Sequence, residues 1–270
     1  MTTTAQAARD ARSLLFVPGD RPERFAKAVA TGADAIVIDL EDAVAPDAKQ
    51  AALEHALAWL AGGGAAVVRV NGVGTRWHTA EVAALATTSA ALMVPKSHSR
   101  DELASVHAVV GDRLIALVET ARGIRDADLV ASSPGVVRIA LGNVDLSAEL
   151  GVDPASHAAL AYARGRLIVA SSAAGIAAPV DGVTTALDDP AVLATDLAAT
   201  RELGFGGKLC IHPRQVQPVN AALSPSADEI IWARHIVESA PAEGVSVVDG
   251  RMIDAPVIAR AARILARERA

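Results

Sequence analysis

The stretch Ala35-Ile-Val-Ile-Asp-Leu-Glu-Asp42 opens with four apolar residues and ends in a cluster of acidic side chains. Short apolar runs of this kind are typical of strands in a parallel sheet, because helices cover both faces of such a sheet. Similar runs occur along most of the chain. The eight predicted strands are Leu14–Pro18, Ala35–Leu40, Ala66–Val70, Ala90–Pro95, Leu114–Val118, Val136–Leu141, Gly175–Val180 and Lys208–Ile211.

Ala-rich stretches with helical spacing lie between these runs. The alternation predicts βα units joined by short loops. Eight such units form a (β/α)8 TIM barrel, whose typical size is about 250 residues. A doubly wound sheet is the alternative, but the first strand is followed by Pro18–Arg24, which lacks the glycine-rich loop of that fold. The predicted fold class is therefore α/β, a (β/α)8 TIM barrel with a C-terminal extension.

The barrel is predicted to span residues 1–220, and residues 221–270 form the C-terminal helical and hairpin extension. This extension contains a helical pattern at Asp228–Glu238, a hairpin pattern with an Asp-Gly turn within Val245–Asp254, and a last helical pattern near Ala255–Arg269. A barrel does not need such an appendage. We therefore expect it to pack on one end of the barrel or on a neighbouring subunit.

The composition excludes several classes of function. Of the 270 residues, 51% are hydrophobic and 21% charged, as in ordinary globular proteins. The aromatic content of 3% and the net charge of −6 argue against a nucleic-acid partner, since they offer few stacking surfaces and no attraction for phosphates. The single cysteine, Cys210, excludes an internal disulfide and a cysteine-rich zinc site. With no apolar run near the ~20 residues that span a bilayer and no signal-peptide pattern, we expect a cytoplasmic protein without a membrane partner.

Polar residues close the predicted strands. In barrel enzymes the chemistry lies where strands end and βα loops begin, so these residues are the candidates for a site. A single polar loop residue is more often solvated than functional, but from the second strand onward every run closes on a charged residue or a histidine. The candidates are Asp39, Glu41, Asp42, Arg69, Lys96, Glu119, Asp145, Asp181 and His212.

Glu119 and Asp145 follow adjacent strands and could point at one ion. Two carboxylates with open positions suit Mg²⁺, which keeps several waters and takes further ligands from substrate oxygens. Zinc is disfavoured because no His-Glu-x-x-His or paired-cysteine spacing is present. The alternative for the two carboxylates is a salt bridge with Arg69, Lys96 or Arg122.

Arg69 is a natural clamp for a substrate carboxylate, because its planar guanidinium matches that group with two parallel hydrogen bonds. Structural pairing with Asp39 or Glu41 is the alternative, and both roles can hold together, since a binding arginine needs support. Asp39 and Glu41 are two residues apart and should face the same way on a strand, whereas Asp42 should face away or lie in the loop. Asp39, Glu41, Asp42 and Lys96 are predicted to be supporting residues.

Several strand-end motifs occur in an order that is specific. They are Arg12-Ser-Leu-Leu-Phe-Val-Pro-Gly19, Asp39-Leu-Glu-Asp-Ala-Val44, Val68-Arg-Val-Asn-Gly72, Val94-Pro-Lys96, Leu117-Val-Glu-Thr-Ala-Arg-Gly123 and Cys210-Ile-His-Pro213. Together they resemble the citrate lyase β-subunit family, within the wider HpcH/HpaI group of aldolases and CoA-ester lyases. The resemblance runs from Arg12 to about Pro256.

The resemblance implies a Mg²⁺-dependent carbon–carbon lyase acting on a carboxylated 3-hydroxyacyl-CoA thioester, such as a citryl, malyl or citramalyl group. It implies that Glu119 and Asp145 bind the metal and that Arg69 holds the substrate carboxylate, with Glu119 also near the substrate. Arg69 and Glu119 are both expected to act in catalysis. Asp254 resembles the acid/base that relatives supply from a neighbouring subunit. A homo-oligomer, a trimer or a dimer of trimers, is implied as well.

One departure concerns the sixth strand end, where many relatives have Gly-x-Glu-Asp and this chain has Gly142-Asn-Val-Asp145. The change bears on the substrate more than on the metal. Three alternatives remain: an HpaI-type aldolase acting on free 2-keto acids, a β subunit active only within a citrate lyase complex, and a non-catalytic protein that retains the barrel.

Overall fold

The computed structural model describes residues 4–239, 246–248 and 251–268. Eight parallel strands close into a barrel in sequence order, with the eighth strand pairing back onto the first. The expected (β/α)8 TIM barrel is confirmed. The barrel strands are β1 Ser13–Pro18, β2 Ala35–Asp39, β3 Val67–Arg69, β4 Ala91–Val94, β5 Leu114–Val118, β6 Val136–Leu141, β7 Val180–Asp181 and β8 Gly207–Cys210.

Helices follow the strands. Most of them begin and end within a few residues of the Ala-rich stretches that the sequence marks as helical. Side-chain caps set several of their starts: the Ser99 hydroxyl, for example, accepts the N–H of Glu102. The helices up to residue 223 are α1 Thr4–Asp10, α2 Phe25–Val29, α3 Lys49–Ala61, α4 His78–Leu85, α5 Arg100–Val110, α6 Ala121–Arg125, α7 Ala127–Ala131, α8 Asn143–Leu150, α9 His157–Ala173, α10 Pro190–Leu203 and α11 Val216–Leu223.

The barrel interior is built from aliphatic side chains. All five residues of β5 are buried, as expected for strands covered on both faces. Ala8 of α1 and Ala11 belong to the same buried cluster as Leu14, Val37 and the other inward side chains. The cluster explains how a chain with so few aromatic residues fills its core.

Two elements differ from the sequence-based expectation. The seventh run was expected at Gly175–Val180, but only Val180 and Asp181 pair as a strand, and Pro179 within the run has no N–H to donate to a neighbour. The helical spacing of Ile124–Ala131 predicts a single helix there, but the structure has two helices, α6 and α7, that meet at Asp126. The first of these helices starts early because the Thr120 hydroxyl accepts the N–H of Gly123.

The chain divides into two compact units, Met1–Asn220 and Ala221–Ala270. The second unit contains the helices α12 Ala227–Glu238 and α13 Ala255–Ala266 and the antiparallel strands β9 Ser246–Val248 and β10 Arg251–Ile253. A small apolar cluster that includes Ala233, Ile236, Ile253 and Ala261 packs its interior. The expected hairpin is present, while its Asp249-Gly250 turn lies outside the described residues.

No helix within the described residues is both long enough and apolar enough to span a bilayer.

Candidate active site

The ends of β2 and β3 place Asp39 opposite Arg69. The two residues are register partners in the parallel pair. Arg69 donates from Nε and from Nη2 to the two carboxylate oxygens of Asp39, each at 2.7 Å. The same carboxylate accepts the backbone N–H groups of Glu41 at 2.9 Å and Ala43 at 3.0 Å. Asp39 is therefore saturated and holds one edge of the Arg69 guanidinium in place.

The other guanidinium edge of Arg69 faces further acidic groups. Its Nη1 atom lies 3.2 Å from Glu41 Oε2 and 3.7 Å from Asp42 Oδ2, and its guanidinium carbon lies 4.9 Å from the centre of the Phe16 ring. Burial alone would lower the pKa of Arg69, but the hydrogen bond to Asp39 and the charges of Asp39 and Glu41 outweigh burial and raise it. Arg69 is thus a permanent cation, with Nη1 as the part not bound to Asp39.

Lys96, just after β4, links two of the acidic residues. Its backbone lies in the left-handed region with φ of 52°. In this conformation the Lys96 N–H donates to Glu119 Oε1 at 2.9 Å, and the ammonium donates to Glu41 Oε1 at 2.8 Å. The ammonium also lies 3.9 Å from Glu119 Oε1, so part of the alternative interpretation of Glu119, pairing with Lys96, is present in the structure.

Glu119 is buried directly after β5 and carries an unusual proton affinity. Burial, together with the negative charges of Glu41 and Asp145, raises the pKa of Glu119 to about 8. A Cβ atom at Gly142 would overlap the Glu119 side chain, so only glycine leaves room for this carboxylate. The region around Glu119 therefore holds excess negative charge that a cation would relieve.

Asp145 lies in the first turn of α8 rather than in an extended loop. The preceding Asn143 anchors this turn: its Oδ1 accepts the N–H of Val183 at 2.8 Å, and its Nδ2 donates to the Val183 carbonyl at 3.1 Å. Sequence reasoning missed Asn143. Its position between a strand and an acidic residue was the available signal.

These side chains surround one cavity at the carboxyl end of the barrel, with a volume of about 370 Å³. Asp39, Asp42, Arg69, Glu119 and Asp145 line it together. Glu41 and Lys96 line a neighbouring cavity of about 430 Å³. The structure thus brings together the expected metal, clamp and supporting residues of the barrel.

The last two candidates from the strand ends do not join this group. Asp181, at the end of β7, is buried and binds Arg164 Nε at 2.9 Å and the Thr200 hydroxyl at 2.7 Å. His212 caps the following turn, where its Nδ1 accepts the N–H of Arg214. Neither residue lines either of the two cavities described above.

Asp254 belongs to the second unit. Its carboxylate accepts the N–H of Val257 at 3.2 Å and caps α13. The acid/base role of Asp254 stays a prediction.

Within the described residues, no three or more His, Cys, Asp or Glu side chains are grouped to hold a metal ion. Glu119 and Asp145 are the pair that could do so with oxygen donors alone. Such a pair would leave other coordination positions to water and substrate, as Mg²⁺ commonly requires.

Comparisons with known proteins show the family of the chain. Residues 12–213 match the family model "HpcH/HpaI aldolase/citrate lyase". A (3S)-malyl-CoA thioesterase of Cereibacter sphaeroides is 37% identical, over 98% of this chain and 97% of the relative. A citrate lyase subunit beta-like protein of Mycobacterium tuberculosis is 36% identical, over 94% of each chain.

A solved structure shows the same fold. It is CitE of Mycobacterium tuberculosis in complex with magnesium, acetoacetate and coenzyme A, with a TM-score of 0.81 and 34% identity over 96% of this chain and 98% of that one. The metal in that relative is the one expected from the residues here. The protein therefore belongs to the HpcH/HpaI aldolase/citrate lyase family.

Proposed function

We propose that this protein is a Mg²⁺-dependent carbon–carbon lyase for a carboxylated 3-hydroxyacyl-CoA thioester, such as citryl-, malyl- or citramalyl-CoA. It would cleave the thioester or form it by the reverse condensation. The observation that carries the proposal is the buried Glu119 beside Asp145 and Arg69 around one cavity. The complex of the M. tuberculosis relative with magnesium, acetoacetate and coenzyme A supports it.

The metal fits the residues on chemical grounds. Glu119 and Asp145 supply the hard oxygen donors that Mg²⁺ prefers, and the pKa of Glu119 is raised by burial and by the negative charges of Glu41 and Asp145, which a bound cation would offset. When bound, Mg²⁺ supplies Lewis-acid stabilisation of negative charge that develops on a substrate oxygen. Gly142 keeps the space beside Glu119 open.

Arg69 and its partners provide the orientation. With Nε and Nη2 bound to Asp39, the guanidinium is held rigid, and we assign Nη1, which lies 3.2 Å from Glu41 Oε2, as the donor to the substrate carboxylate. A clamp fixed in this way lowers the entropy lost when the substrate is placed for reaction. Asp39 acts through Arg69 and is a supporting residue.

The reaction requires two proton transfers. A base takes the proton of the substrate hydroxyl while the bond from the carbinol carbon to the thioester α-carbon breaks, and a keto acid leaves. The α-carbon of the thioester enolate then accepts a proton to give the shorter acyl-CoA. We assign the acid/base role to Asp254 of a neighbouring subunit, and such a group typically contributes about 10²–10⁴-fold to the rate.

Thioester hydrolysis is a second candidate, favoured by the similarity to a (3S)-malyl-CoA thioesterase. Hydrolysis of malyl-CoA releases malate and free CoA, whereas the lyase releases glyoxylate and acetyl-CoA. The two activities therefore differ in their products. An aldolase acting on free 2-keto acids needs no CoA, and a complex-bound β subunit is inactive alone.

The decisive experiment supplies the purified chain and Mg²⁺ with citryl-, malyl- and citramalyl-CoA and follows keto acid, acyl-CoA and free CoA. Keto acid and acetyl-CoA in equal amounts support the lyase. Release of free CoA without keto acid would show thioester hydrolysis instead of carbon–carbon cleavage. The absence of turnover with all three thioesters would overturn the proposal. Glu119→Gln should abolish the activity, while the matched change Glu202→Gln on the exposed face of α10 should not.

A further inference from the structure

The cavity that contains Arg69, Glu119 and Asp145 has a second, apolar side. We call this side the apolar wall, and it consists of Phe16, Leu117, Val144, Val183, Leu209 and Ile211. Val144 and Ile211 are 42% and 41% exposed, so these apolar side chains are open to whatever enters the cavity. None of the lyase steps described above uses them.

The apolar wall is fixed rather than adaptable at Val144 and Val183. The two hydrogen bonds between the Asn143 side-chain amide and the backbone of Val183, one donated by each residue, tie the start of α8 to the segment after β7. A Cβ atom at Gly182 would overlap the Asn143 side chain, so the two segments are in close contact. Val144 therefore keeps its place beside Asp145.

The charges of the lining are strongly unbalanced. Four carboxylates line the cavity, from Asp39, Asp42, Glu119 and Asp145, against a single cation, Arg69. Two of the Arg69 nitrogens already bind Asp39. The nearby Lys96 ammonium lines the neighbouring cavity and is bound to Glu41. One substrate acid group can be paired with Arg69 Nη1 and a bound cation, but a second would find no cation in the lining.

We infer that the site takes hydroxyacyl-CoA thioesters whose carbinol carbon carries hydrogen or methyl beside its one carboxylate, and that Val144 and Ile211 set this specificity. The inference rests on the proposed function. Malyl and citramalyl groups satisfy it, whereas the citryl group carries a second carboxylate. Placing that charge against an apolar wall removes its water without a partner. With Mg²⁺ bound, the four lining carboxylates still exceed the positive charge of Arg69 and the ion by one, so the net charge of the site repels it.

Turnover of the three thioesters tests the inference. We expect kcat/KM for malyl- or citramalyl-CoA to exceed that for citryl-CoA by about 100-fold or more, since like-charge contacts and unpaired buried charges discriminate strongly. Val144→Lys and, independently, Ile211→Lys should each raise the ratio of citryl- to malyl-CoA kcat/KM at least about tenfold by adding the missing cation. The matched control Val144→Met adds length without charge and should leave this ratio unchanged.

Binding of the keto-acid products gives a separate readout by calorimetry with Mg²⁺ present. Pyruvate or glyoxylate should bind more tightly than oxaloacetate, and Val144→Lys should narrow the difference. Equal turnover of citryl-CoA would refute the inference and leave the lyase standing. If no thioester is cleaved, the proposed function is wrong, and tight oxaloacetate binding would then refute the specificity as well. Unchanged selectivity in both lysine variants would show that the apolar wall does not set it.

Discussion

Among the residues that the structure describes, Lys96 is the one non-glycine residue with a positive backbone angle φ. Such a conformation is unfavourable for residues with a Cβ atom, by about 1–2 kcal/mol. Strain of this kind is retained where surrounding contacts determine it, frequently at active sites. Here it directs the Lys96 N–H to Glu119 and the ammonium to Glu41. The backbone and the side chain of one residue thus hold two carboxylates.

Two substitutions separate these contributions. Lys96→Gly relieves the strain and keeps the N–H on Glu119, whereas Lys96→Ala keeps the strain, and both remove the ammonium. We expect the glycine variant to be more stable than the alanine variant by about 1 kcal/mol in urea denaturation, because only glycine adopts this conformation freely. An alanine variant that is at least as stable as the glycine variant would contradict this account.

Glu119 gives the metal-free protein a pH dependence. Its pKa is about 8 in the folded protein against an ordinary 4.5, so the folded state binds the proton more tightly than the unfolded state. The stabilisation from this proton is full below about pH 4.5 and is lost as the pH rises through about 8. In the presence of a chelator, the free energy of unfolding of the protein should therefore fall over this window relative to Glu119→Gln.

Urea denaturation at several pH values from 5 to 8.5 measures this difference. Added Mg²⁺ should restore stability at the upper end in the protein with Glu119 and not in the glutamine variant, because a ligand that binds the folded state stabilises it. If the difference in free energy of unfolding between the two proteins did not change with pH, the raised pKa of Glu119 could not be its cause.

At the scale of elements, a buried cluster of charges joins the end of β7 to the start of β8. Asp181 binds Arg164 and Thr200, and the Lys208 ammonium lies 3.8 Å from Asp181 and donates to the Gly182 carbonyl at 2.9 Å. Burial would raise the pKa of Asp181, but the charges of Lys208 and Arg164 lower it. This cluster holds the segment that carries part of the apolar wall.

Removing the charge of Asp181 tests the structural role of the cluster. Asp181→Asn leaves the buried Arg164 without its anion and Lys208 with Asp196 alone, 3.9 Å away, which should reduce the free energy of unfolding by about 3–5 kcal/mol. The matched control is Asp188→Asn, because Asp188 pairs with Arg214 at 3.4 Å on the surface and is 94% exposed. The control should change stability by less than about 1 kcal/mol in the same denaturation experiment. Equal effects of the two substitutions would contradict the assignment.

The sequence pattern predicted the elements well and their contacts only in part. Apolar runs mark β5 and β6 to the residue, because strands covered on both faces need continuous hydrophobicity. The acidic residues at the strand ends predicted the cavity, because parallel strands in a closed barrel bring their carboxyl ends together. Asp181 follows the same pattern yet is buried, because its partner Lys208 comes from a different strand and no local signal marks the pair.

Contacts between distant segments account for the other omissions. The left-handed backbone of Lys96 depends on Glu119, and the anchoring by Asn143 depends on Val183, 40 residues away. Neither partner is marked by composition or spacing. No local signal marks the division of the helical stretch Ile124–Ala131 at Asp126, because its residues all tolerate a helix.

At the scale of the whole molecule, the barrel unit carries the cavity, whereas Asp254 caps a helix of the second unit. We propose that the protein assembles as a trimer or a dimer of trimers and that Asp254 completes the site of a neighbouring barrel. In a closed ring of identical chains, each barrel would then meet the second unit of the next. The proposal makes activity a property of pairs of chains.

Hybrid oligomers test this shared site. Glu119→Gln and Asp254→Asn each replace a carboxylate by an amide of nearly the same shape. Each variant should be inactive alone. After mixing with subunit exchange, a barrel that keeps Glu119 can meet a neighbour that keeps Asp254, and random assembly of equal amounts should restore about a quarter of the sites. The control mixes Glu119→Gln with Asp145→Asn, whose changes lie in the same barrel, and should restore nothing. Absence of recovery in the first mixture, with exchange verified by mass spectrometry, would show that Asp254 does not act in the site of a neighbouring barrel. A barrel that used Asp254 of its own chain could not recover, because every chain that keeps Glu119 carries Asp254→Asn.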